Sequence, residues 1–212
     1  MRTKPGSRPG KSDIWEARRS VTYLAARLLA DGDEVSLRAA RRKAAERLRV
    51  SSQALPTLSE IQNGLREHQR LFHPEQDELL KELRQQSLKA MEAFAAFRPR
   101  LTGPVLHGTA TSLTPITLHL FCDAAEEVGL VLLERDIPHE LTERRVTYPG
   151  GRGDWRPCYE FSAGETDIEL VVFAEKDIKH GPSSPVDGKP MRRAAYKAVE
   201  TLLSESAQPS FQ

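Results

Sequence analysis

The most direct chemical signal in this chain is a pair of acids in a β-type run, Asp167-Ile168-Glu169-Leu170-Val171-Val172-Phe173. Strand alternation puts Asp167 and Glu169 on one face, where two carboxylates supply the hard anionic oxygens that Mg²⁺ takes. These two acids are the candidate catalytic residues. His107, His119 and Glu169 form a second conceivable set, of His/His/carboxylate type, and imidazole suits Zn²⁺ and other transition metals better than Mg²⁺. A lone strand histidine is more often a hydrogen-bonded side chain. Cys122 follows His119 closely, but neighbours in sequence rarely make a nucleophile–base pair, and Cys122 reads as a small buried residue.

Phosphate chemistry has its own candidates. Gly103 and Gly108 precede the run Ile116–Phe121, and Thr109 and Thr117 follow them; what this segment implies for phosphate rests on a resemblance set out below. The two glycines serve a plain helix-to-strand turn equally well. Lys189, Arg192 and Arg193 fall at the expected start of the last helix, where cationic side chains and free helix amides could meet phosphate oxygens. Arg38, Arg41, Arg42, Lys43 and Arg49 crowd a short amphipathic segment and are the candidate nucleic-acid contacts. Residues 1–50 hold 13 Lys/Arg against 6 Asp/Glu, although the whole chain of 212 residues has a net charge of only +1. Such a basic front end attracts polyanions by counterion release, and it is also what a solvated helix face looks like. Trp15, Tyr23, Trp155 and Tyr159 are too scattered to read as a base-stacking platform. Trp155, in a glycine-rich segment, could stack on a base or pin that segment to the core.

These residues need elements to hold them. With 39% hydrophobic and 29% charged residues, the chain has the composition of an ordinary globular protein. Residues 1–11, rich in Pro, Gly and basic residues, read as a disordered tail. Four amphipathic helices occupy 12–98. The first opens at Asp13 with Glu16 at capping-box spacing and stops at Asp31-Gly32. The second runs from Ser36, the third opens on a Thr57/Glu60 capping box, and the fourth runs from Pro74 to Pro99. Short connections imply antiparallel neighbours.

Beyond Pro99 the pattern turns to strands at Ile116–Phe121, Arg144–Tyr148, Cys158–Phe161 and Ile168–Phe173. A helix is expected over Ala124–Asp136, a mobile glycine loop over 149–157, and a last helix from Arg192 to Ser204. The sequence therefore predicts an α+β protein: a helical domain over 12–98, an α/β domain with a small mixed sheet over 99–205, and a frayed end at 206–212. Two cysteines without metal-ligand spacing, no apolar leader and no run of about 18 apolar residues imply a cytoplasmic protein with no membrane partner.

The segment Leu101–Phe121, LTGPVLHGTATSLTPITLHLF, resembles the signature of minimal nucleotidyltransferases. There, a Gly-Ser pair, a second glycine and a strand bearing two aspartates occur in that order. Gly103 and Gly108 stand at the glycine positions, and the layout including Ser184–Ala194 is similar to bacterial nucleotidyltransferase-like proteins. The resemblance implies a nucleoside triphosphate held beside the glycine turn. It also implies two Mg²⁺ on the strand aspartates, with a third acid on a neighbouring strand, for in-line displacement. In this chain Pro104 replaces the serine, and Pro115 and Thr117 replace the two aspartates; only the third acid has counterparts, Glu169 and Asp167. The resemblance with these replacements implies a catalytically degenerate protein that binds a nucleotide or RNA. The alternatives are an active enzyme with a rearranged Mg²⁺ site around Asp167 and Glu169, and a module whose helical half docks a protein.

Overall fold

The computed structural model describes residues 11–34, 36–72 and 75–206. Residues 1–10 of the tail expected over 1–11 and residues 207–212 of the frayed end expected over 206–212 lie outside them, as does the expected helix start at Pro74, while Lys11 and Ser206 are helical. Among the described residues seven α-helices and a five-stranded mixed sheet form, an α+β arrangement in which the helices lead. No helix among the described residues is long and apolar enough to cross a membrane. The chain divides between residues 73 and 74 into two compact units.

The described residues of the first unit form three α-helices: α1 (Lys11–Ala30), α2 (Leu37–Leu48) and α3 (Leu58–Phe72). Helix α1 packs on both others through Val21, Ala25, Ala26 and Leu28, against Ala40, Ala44, Ile61 and Leu65, all buried. Small residues let the backbones approach. A Cβ added to Gly64 of α3 would stand only 2.9 Å from Thr22 Cγ2 of α1. The Ser36 hydroxyl caps α2 by accepting from the Ala39 amide at 3.2 Å. At α3 the capping box is reciprocal: the Thr57 amide donates to Glu60 Oε2 at 2.6 Å and the Glu60 amide donates to Thr57 Oγ1 at 3.2 Å. Asp13 instead sits inside the first turn of α1, which already begins at Lys11.

The second unit begins with α4 (Gln76–Ala93), so the fourth helix belongs with the sheet rather than with the helical region where its periodicity alone grouped it. The physical reason is its stripe: Leu80, Leu83 and Met91 lie in one buried cluster with the strand residues Leu118, Leu120 and Leu170. After it come β1 (Arg100–Thr102), the one-turn helix α5 (Gly103–His107), β2 (Ile116–Phe121), α6 (Glu126–Glu134), β3 (Glu140–Thr147), β4 (Gly153–Ala163), β5 (Thr166–Phe173) and α7 (Tyr196–Ser206). The sheet order is β1-β2-β5-β4-β3, and only β2 and β5 run parallel.

One face of the sheet packs on α4, α6 and α7. The other carries a smaller apolar cluster, Phe121, Val146, Cys158, Val171 and Phe173 under Tyr148 and Ile178. Further along β2 and β5 that second face turns polar, at Thr117 and Glu169. Between β3 and β4 the chain makes a short hairpin connection, Tyr148 donating to the Arg152 carbonyl at 2.8 Å, with Gly150 and Gly151 at φ +86° and +84°. The glycine loop expected over 149–157 is therefore shorter, and Trp155 lies on a strand.

Candidate functional site

The register brings a polar row straight across the sheet. Thr102 of β1 faces Thr117 of β2, Thr117 faces Glu169 of β5, Glu169 faces Glu160 of β4, and Glu160 faces Glu140 of β3. Directly opposed residues share a face. The Thr117 hydroxyl donates to Glu169 Oε2 at 2.8 Å, and Arg144 Nη2 of β3 donates to Glu169 Oε1 at 2.5 Å. Both oxygens of this largely buried carboxylate are thus engaged. Burial acts against the Arg144 charge, but the Glu169 carboxylate outweighs it and raises the guanidinium pKa. Alongside, Thr142 donates to Glu160 Oε1 at 2.8 Å.

The glycine turn adjoins this row. Thr102 ends β1, Gly103 takes φ +73°, α5 makes one turn, and Gly108 closes it at φ +75°. A side chain at either position would have to sit on this left-handed backbone, which residues with a Cβ rarely adopt. A Cβ on Gly103 would point toward Thr117 Oγ1, 3.9 Å away, and one on Gly108 would meet Arg84 Nη2 at 3.8 Å. Arg84 is buried on α4; burial, with the charge of Arg192, lowers its pKa against the opposing pull of Asp77. Thr109 is buried, its amide donating to the Pro104 carbonyl at 3.0 Å. Gln76 of α4 reaches the Ala110 carbonyl at 2.9 Å. So the turn is fastened to α4 on one side and abuts the Thr117–Glu169 pair on the other.

The remaining candidates divide. Asp167 shares the face of Glu169 but is exposed and accepts from Ser162 Oγ at 2.7 Å. His119 shares the face of Thr117, but its ring lies 4.5 Å from that of Phe173 and is buried. Burial above all, with the Arg193 and Arg144 charges, pushes its pKa down to about 3. His107 ends α5. Among the described residues no group of three or more His, Cys, Asp or Glu side chains is arranged to hold a metal ion, the His107/His119/Glu169 set included. Nor does this donor set fit paired Mg²⁺: Pro115 and Thr117 offer no carboxylate, and Glu169 is already charge-paired with Arg144. Cys122 is buried, donates to the Ala124 carbonyl, and its pKa is raised to about 11 by burial and nearby acids, which suits packing and not nucleophilic attack.

Lys189, Arg192 and Arg193 do not stand at a helix start. Ala194 exchanges backbone hydrogen bonds with Leu101 at 2.8 and 2.9 Å, which holds that stretch extended along β1 and delays α7 to Tyr196. Arg193 turns inward, donating to the Asp177 and Ile178 carbonyls and covering the Phe121 ring at 5.2 Å. Arg192 and Lys189 are exposed. On α2, Arg38, Arg42 and Arg49 are exposed, whereas Arg41 donates to the Pro56 carbonyl at 3.3 Å and Lys43 pairs with Glu34 at 3.0 Å.

Sequence reasoning missed Arg144, Glu160, Thr142 and Arg84. A signal existed for Arg144 and Glu160, each a charged residue within a recognised strand. Thr142 preceded the expected strand start, and Arg84 sat in what read as an ordinary helical stripe. No protein-family model matches the chain, and no curated protein matches it.

Proposed function

We propose that this chain is a nucleotidyltransferase-like protein that binds a nucleotide or RNA and has lost metal-dependent transfer. The observation that carries the reading is the engagement of Glu169 by Thr117 and Arg144. A carboxylate that would ordinarily face a metal is instead neutralised by a fixed guanidinium, beside a glycine turn of the kind that accommodates phosphates. Arg144, its charge balanced by Glu169, is 41% exposed and keeps further N–H groups of the type that donate to phosphate oxygens. The order of glycine turn, antiparallel β1/β2 and third-acid strand β5 next to β2 supports the same reading, as does the exposed basic surface of α2.

An active enzyme built on Asp167 and Glu169 has less in its favour, because Asp167 is tied to Ser162 and Glu169 to Arg144. Two measurements test the proposal. Full-length protein at low salt, about 50 mM, titrated with each labelled nucleoside triphosphate and with a short RNA, is expected to bind at least one of them saturably. Incubation of wild type and Glu169→Ala with labelled triphosphates and Mg²⁺ or Mn²⁺ is expected to give no transfer by either. Absence of all binding defeats the proposal, and transfer that depends on Glu169 replaces it with the active-enzyme reading.

A further inference from the structure

The second face of the sheet holds two buried nitrogens without a hydrogen-bond partner, His119 Nδ1 and Arg156 Nε. Both side chains lie against one ring: the centre of Phe173 is 4.5 Å from that of the His119 imidazole and 5.5 Å from the Arg156 guanidinium carbon. Buried polar atoms are nearly always paired, so two orphans around one phenylalanine call for a reason. His119 is only 3% exposed, and burial with the nearby arginines keeps its ring neutral, able to carry its one N–H on Nδ1.

Cations gather around this imidazole. Arg100 of β1 stands directly opposite His119 and so shares its face. Arg193 covers the ring of Phe121, the next residue of β2 on that face, about 7 Å along the strand. Gly181 makes room for that guanidinium, since a Cβ there would stand 3.0 Å from its carbon. The acids of the face are engaged: Glu169 with Arg144, Asp154 and Asp177 with Arg156, and Glu160 with the Thr142 hydroxyl. Asp167 and Glu140 are exposed toward the other end of the strands. Arg100 and Arg193, by contrast, have carbonyl acceptors and no carboxylate among the described residues, Arg100 on Pro99 at 3.1 Å and Arg193 on Asp177 and Ile178. The two feel each other: after burial, the Arg100 charge does most to lower the Arg193 pKa, against Tyr148 and Asp177. Guanidiniums brought together with no carboxylate between them attract an anion.

We infer that this face binds an oxyanion of the phosphate type, one oxygen accepting from His119 Nδ1 and others from the Arg100 and Arg156 guanidiniums, beside the charge of Arg193. Several oxygens on one centre suit donors that approach from different sides of Phe173. The half-buried Arg100, held only by its neighbour's carbonyl, is the side chain that swings to admit the anion. The same chemistry comes from free phosphate or from the phosphate end of the nucleotide proposed above, and only the second source rests on that reading.

The test uses the full chain with isotope-labelled histidine, titrated with inorganic phosphate and, at matched ionic strength, with sodium chloride. Long-range proton–nitrogen spectra follow the His119 ring, whose resonances are assigned by their loss in His119→Phe. Phosphate is expected to move the Nδ1 resonance saturably and chloride to leave it in place. Arg100→Gln should weaken phosphate binding about tenfold, the size of one charge-assisted hydrogen bond. Circular dichroism checks that this variant is folded, and the wild-type titration does not depend on it. An equal response to chloride, phosphate addition that leaves the His119 ring unmoved, or unchanged affinity in folded Arg100→Gln each overturns the site. A nucleoside triphosphate that binds without moving the ring, in a chain that free phosphate does not move either, overturns it while leaving the proposed function standing. Phosphate that moves the ring when every triphosphate and RNA fails to bind upholds the site and defeats the nucleotide reading alone.

Discussion

Arg144 and Glu169 sit on strands that are not neighbours, with β4 between them, yet the guanidinium nitrogen and the carboxylate oxygen stand 2.5 Å apart. The guanidinium reaches over the intervening strand and ties the edge strand β3 to the sheet centre. Glu169 is the more buried partner, its side chain 13% exposed against 41% for Arg144. Removing the guanidinium leaves a nearly buried charge with only the Thr117 hydroxyl. Arg144→Gln is expected to cost about 1–2 kcal/mol in urea denaturation, discounted for the exposure of the arginine. Arg144→Gln combined with Glu169→Gln should recover part of that loss. Additive losses in the double-mutant cycle would show that the pair is not energetically coupled.

His119 makes stability depend on pH in a defined window. Its folded pKa, about 3, lies well below the ordinary 6.5 because burial and two arginines disfavour the imidazolium. Below pH 6.5 the unfolded chain binds a proton at this site that the folded chain does not. Stability is therefore complete above about pH 6.5 and falls with decreasing pH until the folded site itself titrates, by up to about 1.4 kcal/mol per pH unit. Glu60, whose pKa is lowered chiefly by the Thr57 amide, adds to the loss only below its ordinary 4.5. His119→Phe, which replaces the ring with an apolar one against Phe173, should remove most of the slope between pH 5 and 6.5. An unchanged slope in that variant would assign the dependence to other groups.

The contrast between the two units shows what a sequence makes legible. Capping and periodicity are local, so the Thr57/Glu60 box, the helix start at Ser36 and the stripes of α1 to α4 could be read directly. The strands at Ile116, Cys158 and Ile168 announced themselves through β-branched and aromatic runs. Register is not local. Nothing near Glu169 in the chain says that Arg144, 25 residues earlier, will reach it, or that Glu160 will lie opposite. Helix grouping also failed to show locally, since the stripe of α4 is the same whether it meets helices or a sheet. The last helix began late because Ala194 pairs with Leu101, a contact between residues 93 positions apart that overrides the helical pattern of Arg192 and Arg193.

Gly103 is a position where the backbone, not the space, excludes a side chain. Its φ of +73° is left-handed, and the nearest atom to an added Cβ is a comfortable 3.9 Å away. Gly103→Ala should therefore cost about 1–2 kcal/mol through backbone strain, without steric displacement of Thr117. If the glycine turn contacts phosphates, the same variant should weaken triphosphate binding by more than its stability loss explains. Denaturation and titration of one preparation separate the two effects.

The Thr57/Glu60 box gives a prediction confined to the first unit. Thr57 supplies both the hydroxyl that accepts from the Glu60 amide and the backbone amide that donates to the Glu60 carboxylate. Thr57→Ala removes the first of these and the hydroxyl's own bond to Glu60 Oε2 at 2.8 Å, leaving the second in place. The loss should be about 1 kcal/mol, the usual size for a cap. Because α3 packs with α1 while the sheet has its own core, the effect should appear as faster amide hydrogen exchange in α1 and α3 and leave β2 and β5 unchanged. Equal acceleration in the sheet amides would mean that the two units unfold as one cooperative body.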